Sequence, residues 1–179
     1  MKTVIKNILR LLIFHASRVV WFHKPYARYI KPRDYEWEHP YDGADIVIEC
    51  FGGCASYSFI SYFRKWNPQA RIAHHCHTIA PIKYAVINRL PLVVLTRRRR
   101  EREDSVYQRT FHWMWVLRHL SHIYWRYEWM YCGSKVLVNF EEVIKTPALA
   151  VSRVNDLYGT RFNIGDNNLP NDTRVHEKE

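Results

Sequence analysis

The alternation of short apolar runs with helix-period patterns between Asp45 and Gly159 constrains the fold more than any other feature. ADIVIECF, PLVVLT and KVLVNF have the length and composition of buried strands, and RIAHH is a weaker fourth candidate. The segments between them place apolar residues three, four and seven positions apart, as helices do. Parallel sheets are built from such alternation and are covered on both faces. We therefore predict an α/β fold with a parallel β-sheet flanked by helices.

Proline and glycine mark the ends of the predicted helices. SFISYFRKW stops at Asn67-Pro68, and PIKYAVINR begins with proline in its first turn. Thr146-Pro147 opens a last helix, which Gly159 caps. One further helical pattern follows the arginine-rich segment; its apolar positions are Val106, Trp113, Leu117, Leu120 and Tyr124.

The chain divides into three parts. Residues 1–43 are predicted as an N-terminal amphipathic helix and an extended segment rich in proline and aromatic residues, the latter over residues 23–42. Residues 44–162 form the α/β domain, and residues 163–179 a polar C-terminal tail.

The N-terminal helix is apolar but interrupted by charge. Lys6, Arg10 and Arg18 leave no run of about eighteen uncharged residues, so a membrane-spanning helix is not predicted. Arg10 also breaks the apolar centre that a signal peptide needs. Two interpretations remain open. The helix packs on the domain, which we favour because one-face apolar helices usually do so, or residues 4–22 contact a membrane peripherally.

The net charge indicates the class of partner, and the cysteine content indicates the cellular compartment. Lys and Arg number 27 against 17 Asp and Glu, a net charge of +10, which favours an anionic partner: nucleic acid, a phosphorylated small molecule or a lipid headgroup. The 4 cysteines are too few for a disulfide scaffold and do not form repeated CxxC pairs. We therefore expect a cytoplasmic protein.

A small-residue segment between the first strand and its helix is the first candidate phosphate site. It comprises Gly52, Gly53, Cys54, Ala55, Ser56, Tyr57 and Ser58. Ligands of open α/β sheets bind beyond the carboxyl ends of the strands. Small residues there let backbone N–H groups approach an anion, and the helix dipole adds positive potential. The same residues also make ordinary tight turns, and the segment is not a Walker A loop.

The second candidate is TRRRREREDSVY, which follows the PLVVLT strand. A run of arginines is usually a solvated face or a nucleic-acid patch, but here it stands where a parallel sheet places its ligand. Arg97 offers a planar fork to phosphate oxygens. Ser105, eight residues later, is expected near the start of the next helix, where its hydroxyl meets the same phosphate.

Together these segments resemble the sulfotransferases that use 3′-phosphoadenosine 5′-phosphosulfate. That family carries a loop such as PKSGTTW or PRSGTS after one strand and RNPxDxxxS after a later one. Arg97, Glu101 and Ser105 match the second motif in register. KVLVNFEEVIKTPALAVSRVNDLYG resembles the family's later strand, acidic segment and helix. The resemblance covers about residues 44–160 and implies a P-loop NTPase-like architecture.

The resemblance also implies roles for individual residues. The loop Gly52–Tyr57 would hold the 5′-phosphosulfate of the donor, and Arg97 with Ser105 its 3′-phosphate. HHCHTIAP lies between the two motifs, where the family often carries a catalytic histidine. His77 is the first choice for the base that takes the acceptor's proton and His75 the second, because the pKa of histidine is about 6.5. A polar loop without catalytic function is the alternative. The acceptor would be a hydroxyl or amine of a carbohydrate or small molecule.

The sequence departs from the family at three places. Gly53 stands where the family usually has a lysine, so Lys65, Lys83 or one of the arginines would have to replace it. Arg98 and Arg99 replace the usual Asn or Asp and Pro. IGDN (residues 164–167) is only a faint counterpart of the family's C-terminal glycine-rich nucleotide loop.

Two other classes remain alternatives. The charge and the aromatic content also suit a basic nucleic-acid- or nucleotide-binding α/β protein without sulfotransferase activity. Cys50, Cys54 and Cys76 with the neighbouring histidines could bind zinc, but a cysteine in a buried strand is common without metal. We predict no metal site and consider nucleic acid the weaker partner.

Overall fold

The computed structural model describes residues 19–29, 40–74, 78–110, 114–130 and 134–166, together with isolated positions before residue 19. The strands are β1 (Ile46–Glu49), β2 (Ile72–His74), β3 (Leu92–Thr96) and β4 (Val136–Asn139). The helices are α1 (Val20–Tyr29), α2 (Ser56–Trp66), α3 (Ile79–Ile87), α4 (Arg99–Thr110), α5 (Met114–Trp129), α6 (Phe140–Lys145) and α7 (Pro147–Tyr158). A short 3-10 helix, Pro40–Asp42, precedes β1.

The described residues form one four-stranded, fully parallel sheet in the order β2-β1-β3-β4. Ile48 pairs with His74 on one side and with Val93 on the other, and Thr96 pairs with Asn139. The chain leaves β1 toward one side to form β2 and then crosses to the other side for β3. The gap between the carboxyl ends of β1 and β3 is therefore the topological switch point of the sheet. The predicted α/β class, with a parallel sheet flanked by helices, is confirmed.

Both faces of the sheet are buried, because successive side chains of each strand point to opposite sides. Ile46 and Ile48 enter one core with α2, α6 and α7, whereas Val47 enters a second core with α3 and α5. The predicted inward face of α2 is confirmed; its members Phe59, Ile60, Phe63 and Trp66 are all buried. Gly159 caps α7 with a left-handed backbone, as predicted.

The N-terminal part differs from the prediction. Residues 23–29 were expected to be extended, but they belong to α1, which contains Pro25. Helix α1 packs against α3 and thereby gains tertiary contacts that local sequence does not reveal. Among the described residues, no helix combines the length and the apolar character required to cross a bilayer.

The arginine-rich segment also differs. The helix begins at Arg99, within the arginine run, and the apolar pattern predicted as one helix is shared between α4 and α5. Leu117, Leu120 and Tyr124 are buried as predicted, while Trp113 lies outside the described residues. Ion pairs four residues apart support the early start, because Arg99 contacts Glu103 at 2.7 Å.

The end of the domain is tied to the end of α2. The buried Asn67 side chain donates to the carbonyl of Asn163 and accepts from its backbone N–H, at 3.1 and 2.7 Å. Asn163 Nδ2 donates to the Trp66 carbonyl at 3.2 Å. A Cβ on Gly165 would overlap the Trp66 indole. Helix α2 begins at the carboxyl edge and ends at the amino edge, so IGDN begins far from the switch point. Residues 164–166 therefore lie at the amino edge, where Gly165 packs against Trp66, and not at the switch point.

Candidate functional site

The loop between β1 and α2 is tight and locally strained. Gly52 and Gly53 have positive φ angles of 123° and 65°, and Ala55 has a φ of 58°. A left-handed backbone costs a residue with a side chain about 1 kcal/mol, so Ala55 is held there by its surroundings. The Cys54 thiol donates to the Gly52 carbonyl at 3.2 Å and is buried. The loop is therefore shaped before any ligand binds.

The loop leads directly into the N-terminus of α2. Ala55 stands at the N-cap position and has no side chain that could accept a hydrogen bond from the first turn. No acidic residue lies in that turn either. Ser56 is buried, while Tyr57 is exposed. The positive end of the helix dipole is thus not compensated by the residues of its own first turn, which favours an anion.

Helix α4 packs against this loop and brings the two predicted segments together. A Cβ on Gly53 would lie 3.1 Å from Ser105 Oγ, and a Cβ on Gly52 would lie 3.2 Å from Val106 Cγ2. Glycine is needed at both positions for this approach as well as for the positive φ angles. Ser105 lies in the second turn of α4 and not at its start, because the helix begins earlier than predicted.

Arg97 connects the loop to the segment that follows β3. Its Nη1 donates to the Gly53 carbonyl at 3.1 Å, and its Nε donates to Glu101 Oε2 at 3.2 Å. The guanidinium also lies over the Phe140 ring, 4.3 Å from its centroid. These contacts fix the side chain, which is 24% exposed. A guanidinium has more N–H donors than these two bonds use, so Arg97 can still bind an anion.

The remaining arginines of the run have different surroundings. Arg98 is 86% exposed and only 4.0 Å from Glu101, and Arg100 is also exposed. Arg99 is held by Glu103. The run is therefore not a uniform basic face: Arg97 points to the loop, and Arg98 and Arg100 face solvent.

Arg102 and Phe140 belong to this region, although the sequence analysis did not select them. Arg102 is fully buried, donates from Nη2 to Ser121 Oγ at 3.1 Å, and lies 5.4 Å from the Phe51 ring centroid. A signal for Arg102 exists in the sequence. It precedes Val106 by four residues, and Val106 is the first apolar residue of α4, so both share the inward face. Phe140 has no such signal.

His77 and His75, which the sequence predicts as catalytic, lie outside the described residues, as does Cys76. The strand that precedes them ends at His74, which is buried beside β1, with Nε2 3.1 Å from Arg64 Nη2. Among the residues that the structure describes, no group of three or more His, Cys, Asp or Glu could hold a metal. Cys50 and Cys54 are buried thiols.

The two candidate lysines have different surroundings. Lys65 is in the last turn of α2, at the amino edge, more than two helical turns from the loop. The Lys83 ammonium lies over the Tyr127 ring at 5.3 Å, beside the second core. Positive charge near the loop comes from Arg97, from the buried Arg102 beside Phe51, and from the N-terminus of α2.

Comparison of the chain with family models, with curated proteins and with solved structures finds no match.

Proposed function

We propose that this protein is a sulfotransferase of P-loop NTPase-like architecture, which transfers a sulfuryl group from 3′-phosphoadenosine 5′-phosphosulfate to a hydroxyl or amine. The observation that supports the proposal is the meeting of the Gly52–Ser56 loop with Arg97 and Ser105. These parts are separated in sequence but lie together at the switch point between β1 and β3. Open α/β sheets bind nucleotides at such a point.

The loop and the start of α2 suit the 5′-phosphosulfate end of the donor. Charge in sulfuryl transfer spreads over the sulfate oxygens in the transition state, so fixed N–H groups and a helix N-terminus stabilise it most when they are already oriented. The strained Ala55 and the Arg97 bond to the Gly53 carbonyl provide that orientation. Catalysis would come mainly from positioning and electrostatics.

Arg97 and Ser105 suit the 3′-phosphate. Ser105 faces Gly53, the residue whose carbonyl Arg97 contacts, so both side chains reach the same point of the loop. An arginine and a hydroxyl that converge provide charge-assisted hydrogen bonds to one phosphate group. His77 or His75 would accept the proton of the acceptor.

A second candidate is nucleotide binding without group transfer. The observation that favours it is the absence of lysine from residues 50–56, with Lys65 at the opposite edge. A loop without that cation can bind the donor's phosphates but stabilises the leaving group less. Nucleotide binding and turnover therefore have to be measured separately.

The test is thermal unfolding of the full chain with adenosine 3′,5′-bisphosphate or with AMP. We expect the bisphosphate to stabilise the protein by about 2.7 kcal/mol at a hundred times its dissociation constant, and AMP to do so far less. Equal shifts would contradict a 3′-phosphate site. Appearance of the labelled sulfuryl group on an added hydroxyl or amine acceptor, with adenosine 3′,5′-bisphosphate as the other product, then separates transfer from binding alone. Salt-sensitive oligonucleotide binding that the bisphosphate does not displace would favour a nucleic-acid partner.

A further inference from the structure

The N-terminal segment carries an apolar stripe that faces away from the domain. The described positions from 5 to 16 are helical, and Ile5, Ile8, Leu9 and Leu12 are between 49% and 59% exposed. Positions three, four and seven apart share one face of a helix, so these four side chains form a single stripe.

Two side chains that flank the stripe contact the domain. Leu11 is partly buried against the second core, and the His15 ring lies 5.5 Å from the His119 ring of α5. The helix therefore rests on the domain through Leu11 and His15. The stripe is therefore exposed on a helix that contacts the domain through two partly buried side chains.

Val19 and the first turn of α1 add further exposed apolar side chains. Val19, Trp21 and Phe22 are 48%, 76% and 55% exposed, and the Trp21 and Phe22 rings contact each other edge to face at 5.1 Å. Lys24, on the same helix, is exposed. Large aromatic side chains next to lysine are typical of the boundary between lipid headgroups and acyl chains.

The charge of this part of the chain indicates the partner. The first 33 residues contain eight cationic side chains and no Asp or Glu; these are Lys2, Lys6, Arg10, Arg18, Lys24, Arg28, Lys31 and Arg33. A second copy of the chain would bring two such segments together, and their like charges would repel. Nucleic acid would use the charge but leave the apolar stripe exposed to water. An anionic bilayer satisfies both.

We propose that the N-terminal apolar surface, formed by Ile5, Ile8, Leu9, Leu12, Val19, Trp21 and Phe22, binds anionic lipid membranes. The helix lies in the plane of the interface, with the apolar stripe among the upper acyl carbons and the cations near the headgroups. The domain stays on the aqueous side, attached to the helix through Leu11 and His15, which flank the stripe. This inference is independent of the proposed enzymatic function.

The test measures flotation of the full chain with vesicles of phosphatidylcholine alone or with about one-third phosphatidylserine. We expect more than about tenfold stronger partitioning to the anionic vesicles, decreasing with salt. Leu9→Glu and Leu12→Glu should each weaken it about tenfold or more, because each places a charge where the proposal inserts a leucine among the acyl chains. Leu149→Glu is the matched control: Leu149 is 52% exposed on α7, in the other layer, and should leave partitioning unchanged.

Several results would overturn the proposal. These are equal partitioning to both vesicle types, no partitioning, or an equal loss in Leu149→Glu. A dimer that forms without lipid and is dissociated by Leu12→Glu would assign the surface to a second copy. Oligonucleotide binding that excludes vesicles and is unchanged in Leu12→Glu would assign the charge to nucleic acid. Circular dichroism of each variant verifies the fold, which surface positions such as these should not disturb.

Discussion

The amino edge and the carboxyl edge of the sheet lie at opposite ends of α2. They differ in whether their polar groups form hydrogen bonds with one another. At the amino edge, Asn67 and Asn163 exchange hydrogen bonds, and the backbone N–H of Arg71 donates to Asp45 at 2.8 Å. Gly165 is close to the Trp66 indole and serves packing. This edge is closed by mutual hydrogen bonds.

The loop at the carboxyl edge combines residues of left-handed backbone conformation with nearby positive charge. Gly52, Gly53 and Ala55 have positive φ angles, and Arg97 reaches the loop from the end of β3. Strained backbone persists only where surrounding contacts impose it. Such strain is frequent at functional sites. Glycine therefore has a different role at each edge. At the amino edge it allows close packing, and at the carboxyl edge it allows the left-handed backbone of the loop.

The largest expected effect is on stability at the amino edge. Asn67→Ala should lower the free energy of unfolding by about 2 to 3 kcal/mol, because it removes three hydrogen bonds of a buried side chain, one to the Phe63 carbonyl and two to the Asn163 backbone. Asn88→Ala is the control. Asn88 also caps a helix and donates to the carbonyl four residues back, but it is exposed. It should cost less than about 1 kcal/mol. Urea denaturation measures both, and equal losses would show that the Asn163 contact contributes little.

The second prediction concerns binding at the carboxyl edge. Arg97→Ala should weaken adenosine 3′,5′-bisphosphate binding by about 1.5 to 3 kcal/mol, because it removes a charge-assisted fork and loosens the Gly53 loop. Arg100→Ala, an exposed arginine of the same run, should change affinity little. Isothermal titration measures both variants. Similar small losses that fade with salt would indicate a solvated basic face instead.

Ser105→Ala should have a smaller effect on the same affinity, about 1 kcal/mol, because one neutral hydroxyl is lost. Its effect and that of Arg97→Ala should not add, since both contact one group. Ser152→Ala, on α7 in the opposite layer, is the control and should leave binding unchanged. Full additivity in the double variant would separate the two residues into independent sites.

The smallest effect is expected at Tyr62, near the amino edge. Burial, and then the charge of Asp166, raise the pKa of Tyr62 above its ordinary value of 10.0. Its hydroxyl has no hydrogen-bond partner among the described residues. The neutral form is therefore favoured in the fold, and its contribution is fully present below about pH 10 and lost as the pH rises further.

Tyr62→Phe should consequently leave stability unchanged or raise it by up to about 1 kcal/mol at pH 8, and reduce the loss of stability above pH 10. Urea denaturation at pH 8 and above pH 10 measures the free energy of unfolding of the variant and of the unchanged protein. Tyr158→Phe is a useful comparison, because burial also raises the pKa of Tyr158, whose hydroxyl donates to the Ser134 carbonyl at 2.7 Å. That variant should lose stability at pH 8. An unchanged pH dependence in Tyr62→Phe would contradict the assigned environment.

Local sequence determined the elements of this protein and the candidate site segments. Apolar runs such as PLVVLT are strands because only burial on both faces accommodates them, and Gly159 ends α7 because a left-handed cap favours glycine. The predicted inward face of α2 depends on spacing within eleven residues. Boundaries in the arginine run and around Pro25 were wrong, because ion pairs and packing outweighed local propensity there.

Only the tertiary structure decided which segments meet. The Arg97 contact with Gly53 spans 44 positions and the Asn67 contact with Asn163 spans 96. Each depends on the strand order, and the sequence does not state whether β2 or β3 lies beside β1 on a given side. Strand β3 lies on the side of β1 opposite to β2. Helix α4, which follows β3, therefore packs against the Gly52–Gly53 loop and buries Arg102. Spacing along the chain specifies which face of each helix or strand is buried. Long-range contacts depend on how those buried faces pack against one another in the whole fold.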